Sequence, residues 1–112
     1  MHAVVKHSRL FVFASLVEGF GLPPLEAMAC GVPTAVADIE PMSSIASRGA
    51  MRFDPRDAES LAMLIARIVQ RDDLYAEWSA RATTRAAQFT WERCARQTLE
   101  AYRAVLAHDP GR

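Results

Sequence analysis

With 112 residues, 51% of them hydrophobic and 23% charged, the chain has the balance of one small globular domain and is too short for two. Lys plus Arg number 13 and Asp plus Glu also 13, so no net field draws the chain to nucleic acid or to an anionic membrane. Cys30 and Cys94 stand far apart without metal-ligand spacing, no apolar run is long enough for a leader or a bilayer crossing, and the expected setting is cytoplasmic with reduced thiols and no metal.

In chain order, Leu10-Phe11-Val12-Phe13-Ala14 is a continuous apolar run, which predicts a strand buried on both faces of a parallel sheet. A loop over residues 15–22 follows, with Gly19 and Gly21 in it, and Pro23-Pro24 opens a helix, where proline loses no amide that would have been paired. Leu25, Ala27, Met28, Ala29 and Cys30 make that helix largely apolar, so Met28 and Cys30 are expected in the core, and Gly31 suits its end. Pro33-Thr34-Ala35-Val36-Ala37 reads as a second strand, residues 42–47 as a short helix, and residues 50–53 as a third strand.

The rest reads as helical. Asp54 is taken as a helix cap with Pro55 at the first helical position, and Ala58, Leu61, Ala62, Ile65, Ile68 and Val69 recur on one face. A second helix is expected over residues 74–88 with Leu74, Trp78 and Ala82 inward. Thr90 caps a last one over residues 91–107, whose apolar face is Ala95, Leu99, Tyr102 and Leu106. Trp78, Trp91 and Tyr102 are assigned to core packing, the arginines from Arg67 to Arg103 to a solvated face, and His2, His7 and His108 to solvent.

Alternating strands and helices followed by helices predict an α/β fold: a partial, doubly wound, Rossmann-like parallel sheet of about three strands. The sheet and its loops span residues 9–54 and the helices residues 55–107 of one unit, residues 1–112. A first strand so apolar asks for a neighbour on each side, so the chain reads as the later half of such a domain.

The informative segment is Glu18-Gly19-Phe20-Gly21-Leu22-Pro23-Pro24-Leu25-Glu26-Ala27-Met28-Ala29-Cys30-Gly31-Val32-Pro33. It sets a glycine loop at the carboxyl end of a strand and before a helix, where open α/β sheets bind ligands. Glycines permit close backbone approach, the helix start offers amides and a positive dipole end, and the Glu18 and Glu26 carboxylates can accept hydrogen bonds from a polyol. By spacing alone the same features also fit a conformational turn with a dipole-favoured glutamate in the first helical turn. Ser43, Ser44 and Ser47 lack a supporting base and are not read as nucleophiles.

The whole string resembles the family-4 (group 1) retaining glycosyltransferases, two-domain GT-B enzymes that use nucleotide-diphosphate sugars. Their mark is a Glu, seven residues, then Glu, here Glu18 to Glu26. The resemblance extends through Phe53-Asp54-Pro55 and Thr90-Trp91 and covers nearly the whole chain. It implies the later half of the C-terminal, donor-binding domain. It also implies that Glu26 binds the nucleotide ribose, that Glu18 lies beside the transferred sugar as the catalytic carboxylate, and that Gly19, Phe20, Gly21 and Leu22 hold sugar or phosphate oxygens. It implies no metal and no cofactor beyond the sugar-nucleotide substrate, and retention of anomeric configuration through front-face attack. The chain departs from the family at Ala14, where proline is common, and at Ser43-Ser44 and Ser47-Arg48, which weakens the case for a ligand contact from the 40s segment. The residues that clamp the diphosphate and the acceptor-binding domain are not among these 112. Two rival expectations are a donor-binding subunit completed by a partner chain at the 10–14 strand, and an inactive truncated remnant. Membrane contact through other parts of a full-length protein is left open, and base, sugar and acceptor are not legible.

Overall fold

A three-stranded parallel sheet carries helices on both faces in a computed structural model that describes residues 2–16 and 21–108. The strands are β1 (Phe11–Phe13), β2 (Thr34–Ala37) and β3 (Met51–Phe53), in that spatial order, with Val12 beside Ala35 and Val36 beside Arg52. The helices are α1 (His2–Lys6), α2 (Leu22–Ala29), α3 (Met42–Ala46), α4 (Ala58–Gln70), α5 (Asp72–Ala86) and α6 (Trp91–Ala107). The expected α/β architecture is therefore present.

β2 is buried along its whole length, as a central parallel strand covered on both faces must be. Val36 joins Leu25, Met28, Met42, Ala46 and Ala50 on one face, with Ala82 and Ala86 of α5 closing that layer. Ala35 and Ala37 join Met51, Phe53 and Ile68 on the other, flanked by Leu61, Leu64, Leu74 and Trp78. α5 therefore crosses from one face to the other: its first half packs on α4 and its second half on α2. Each large apolar side chain so enclosed contributes about 2 kcal/mol.

Two expectations about burial are corrected. β1 is not enclosed on both faces: Val12 is exposed, and Phe11 and Phe13, stacked at 6.5 Å, are half-buried. β1 is an edge strand, since the amide of Phe11 bonds the Pro33 carbonyl and the alternation of a parallel ladder turns the Val12 amide and carbonyl away from β2. The face of α6 is equally open. The helix has no buried residue, with Trp91 83% and Tyr102 67% exposed, so only Trp78 of the three expected core aromatics packs inward.

The helix ends show local chemistry at work. Thr90 Oγ1 accepts the Arg93 amide as the expected cap of α6. The cap of α4 is Asp57, whose carboxylate accepts the Ser60 amide, and not Asp54. Asp54 instead accepts the Arg56 amide and forms a separate turn holding Pro55 ahead of the helix. α5 starts at Asp72 and places Asp72 and Asp73 at the positive end of its dipole. The Arg71 guanidinium, hydrogen-bonded to Asp73, holds that carboxyl below its ordinary range.

α2 ends in a Schellman motif. Gly31 takes a φ of 77°, its amide bonds the Met28 carbonyl, and the Val32 amide bonds that of Ala27. Ser79 Oγ of α5 then donates to the Gly31 carbonyl at 2.6 Å, pinning the end of α2 to the C-terminal layer. Arg9 makes a second long-range tie: Nε donates to the Ile68 carbonyl at 3.3 Å, Nη2 reaches Asp72 at 2.5 Å, and the guanidinium lies 4.7 Å above the Tyr75 ring.

Gly31→Ala is expected to cost about 1–2 kcal/mol through left-handed strain. A urea-denaturation midpoint indistinguishable from that of the parent chain would contradict this account of the α2 terminus.

Candidate functional site: the turn from β1 into α2

β1 delivers the chain to the carboxyl end of the sheet, and α2 begins there. Between them Ser15 and Leu16 lead toward residues 17–20. Glu18, Gly19 and Phe20 lie outside the described residues, so the geometry of the candidate site rests on Gly21, Leu22 and Glu26.

Gly21 is the N-cap of α2 with φ 85° and ψ 50°, a left-handed conformation natural to glycine. Space imposes the same choice, because a Cβ there would overlap the Met42 side chain, which is itself buried. α3, which carries Met42, therefore lies directly against Gly21. The sequence carries no local signal for this contact, since Gly21 and Met42 belong to separate elements.

The donor supply of this helix start is narrower than a general helix N-terminus suggests. Pro23 and Pro24 occupy its first turn and bring no amide. Leu22 contributes the amide of the first helical position, adjacent to that of Gly21, and the dipole of α2 still points its positive end at the loop.

Glu26 is the fifth helical residue, so the expectation of a first-turn position is corrected: the first turn of α2 holds no acid. Dipole compensation, which acts within that turn, does not account for a glutamate there. Leu25, Ala27 and Met28 around it are buried, whereas Leu22, Glu26 and Ala29 are exposed and share one side of the helix by their spacing of four and three. The Glu26 carboxylate thus stands one turn below Leu22 on the stripe that runs down from the loop. Among the described residues it makes no ion pair.

Asp38, the residue that follows β2, stands at the same carboxyl end. Ser43 Oγ donates to its carboxylate, and Arg52 Nη1 approaches Ser43 Oγ at 3.5 Å. An acid directly after a buried strand is the sequence signal for Asp38. Among the described residues, no group of three His, Cys, Asp or Glu is placed to hold a metal, and no helix is long and apolar enough to cross a membrane.

Gly21→Ala is expected to cost about 2–4 kcal/mol, from left-handed strain and from displacement of buried Met42. Leu22→Ala, on the exposed stripe, should stay within about 0.5 kcal/mol. Equal melting temperatures for these two variants would show that the Gly21–Met42 contact is not what shapes the turn.

Comparison with known proteins gives a consistent result. The family model for glycosyl transferases group 1 matches residues 1–85. The O-antigen chain mannosyltransferase B of Escherichia coli is 38% identical over 98 residues, covering 88% of this chain and 26% of that protein. A D-inositol 3-phosphate glycosyltransferase of Nocardioides sp. is 33% identical over 100 residues, covering 88% of this chain and 22% of that one. Sucrose-phosphate synthase from Thermosynechococcus elongatus superposes with a TM-score of 0.80 at 28% identity, covering 95% of this chain and 27% of that one. The chain therefore spans about a quarter of the length of these relatives. On the strength of the matched residues and the shared fold, the chain belongs to the group 1 glycosyl transferases.

Proposed function

We propose that the chain is the donor-binding portion of a retaining glycosyltransferase of family 4, which passes a sugar from a nucleotide diphosphate to an acceptor hydroxyl. The observation that carries this reading is the placement of Glu26. It is an exposed carboxylate, unpaired among the described residues, one turn below a glycine-capped helix start at the carboxyl end of a parallel sheet. In this reading Glu26 accepts hydrogen bonds from the ribose hydroxyls. The Gly21 and Leu22 amides, with Gly19 and Phe20, hold phosphate or sugar oxygens at the positive end of α2, and Glu18 stabilises charge at the reacting carbon. Catalysis is then mainly positioning and electrostatic stabilisation of an oxocarbenium-like centre and a departing phosphate, without a metal. Relatives described as mannosyltransferases make nucleotide-linked mannose the first donor to test. The proposed setting is the cytoplasm, with peripheral membrane contact belonging to the full-length context.

Transfer itself is proposed to need further polypeptide. The outward edge of β1 and the bare face of α6 are surfaces built to be covered. A second reading rests on that edge: a separate partner chain adds a strand beside Leu10, Val12 and Ala14, and this chain serves as its donor-binding subunit. Co-purification of a stoichiometric partner distinguishes that reading from an inactive remnant.

Calorimetry with UDP-, GDP- and ADP-sugars is expected to show binding of one class, weakened about 10–100-fold by Glu26→Ala, the range for a charge-assisted hydrogen bond. Unchanged affinity in that variant removes the ribose role. The 112-residue chain alone is expected to show no sugar transfer, and turnover with any acceptor would overturn the need for further polypeptide.

A further inference from the structure

A second concave site lies on the far side of the sheet from the motif. It is a hollow of about 600 Å³ at the outer edge of β3, closed by α4 and α5. β1 stands at the opposite edge, with β2 between, and the segment that enters the hollow, Ser47 to Ala50, precedes β3. Its edge of the sheet is therefore not the one beside the candidate donor site.

The lining has two chemistries. Met51, Met63, Leu64, Ile68, Leu74 and Trp78 form an apolar floor. Around it stand Arg48 before β3, Arg52 in β3, Arg67 in α4 and Arg81 in α5, and no Asp or Glu lines the space. Arg67 and Arg81 are exposed, as expected of a solvated arginine face on the helices, and Arg48 joins them from the segment before β3. Only part of that charge is answered within the chain. Arg81 pairs with Glu77 at 2.7 Å, and Arg52 leans toward Ser43 and, through it, Asp38. Arg48 and Arg67 make no ion pair among the described residues. A smaller hollow of about 370 Å³ on the other side of Arg48 and Arg81 extends the basic rim to Arg85.

In a chain of zero formal net charge, Arg48 and Arg67, which make no ion pair among the described residues, stand at a hollow with no lining carboxylate and favour an anion there. Guanidinium groups match phosphate oxygens in geometry and charge. The size of the hollow is that of small-molecule sites, and its concavity suits a discrete ligand better than a flat lipid surface. We propose that this hollow at the β3 edge binds a soluble phosphorylated small molecule, its phosphate held by Arg48 and Arg67 and its less polar part resting on the Met51, Leu64 and Trp78 floor. The proposed phosphate ligands, Arg48 and Arg67, are not among the residues of the donor-binding reading.

Calorimetry of the 112-residue chain with inorganic phosphate and pyrophosphate at low salt tests this, with thermal melting in parallel. Pyrophosphate is expected to bind and to raise the melting temperature. The double variant Arg48→Gln/Arg67→Gln should weaken it at least about tenfold, and Arg56→Gln/Arg96→Gln, which removes two exposed arginines away from the hollow, should leave it unchanged. Circular dichroism establishes that both variants are folded. The proposal is overturned by any of three results: no pyrophosphate binding, equal loss in both double variants, or unchanged binding in the hollow variant, which would place the phosphate elsewhere, at the motif loop included. Vesicles of phosphatidylcholine with and without phosphatidylglycerol form a further arm. Binding to the anionic vesicles with none to pyrophosphate would replace the small ligand by a membrane and overturn the proposal as well.

Discussion

The rest of the structure depends on the burial of β2. Four small residues, Thr34 to Ala37, hydrogen-bond to a parallel strand on each side and present alternate side chains to two separate apolar layers. Thr34 is the one polar side chain in the strand, and it satisfies itself locally by donating to the Val32 carbonyl. With β2 fixed, the carboxyl ends of the three strands lie together. The turn into α2, the acid after β2 and the segment that becomes α3 then meet at that end. The candidate donor site is a consequence of strand direction before it is a consequence of any individual side chain.

The second layer of control is glycine and methionine chemistry around α2. The helix is held at its start by a left-handed Gly21 against Met42 and at its end by a left-handed Gly31 tied to Ser79. The two positions do different jobs. Gly21 lets the chain approach its own core at Met42, and Gly31 turns the chain back into β2. A helix of eight residues fastened in this way has little freedom to tilt, so Glu26 on its outer side is carried at a defined place relative to Gly21.

Much of this was legible in the sequence, and the reasons for the exceptions are physical. The strands, the glycine termination of α2, the Thr90 cap and the inward side of α5 follow from local patterns: apolar runs, left-handed glycines, a hydroxyl before a helix and a recurrence of three and four. What was not legible depends on who lies next to whom. Leu10 to Ala14 has the composition of an enclosed strand but stands at an edge. Trp91, Leu99 and Tyr102 form a regular apolar stripe yet remain exposed, because amphipathicity states what a helix prefers and not whether a neighbour covers it. Asp54 and Asp57 both suit a cap, and the choice fell to the one whose carboxylate reaches an amide of the helix that actually forms. The basic hollow is not legible in the sequence because the elements that line it, the segment before β3, α4 and α5, come together only in the fold.

Arg9 gives the architecture a less obvious property. Through a single side chain the segment ahead of the sheet grips the junction of α4 and α5, about sixty positions downstream, by a carbonyl, a carboxylate and an aromatic ring at once. The leading residues are thus a clasp for the helical layer and not a dispensable preface. Shortening the polypeptide to begin at β1 would unfasten the elements that floor the basic hollow while leaving the motif itself untouched.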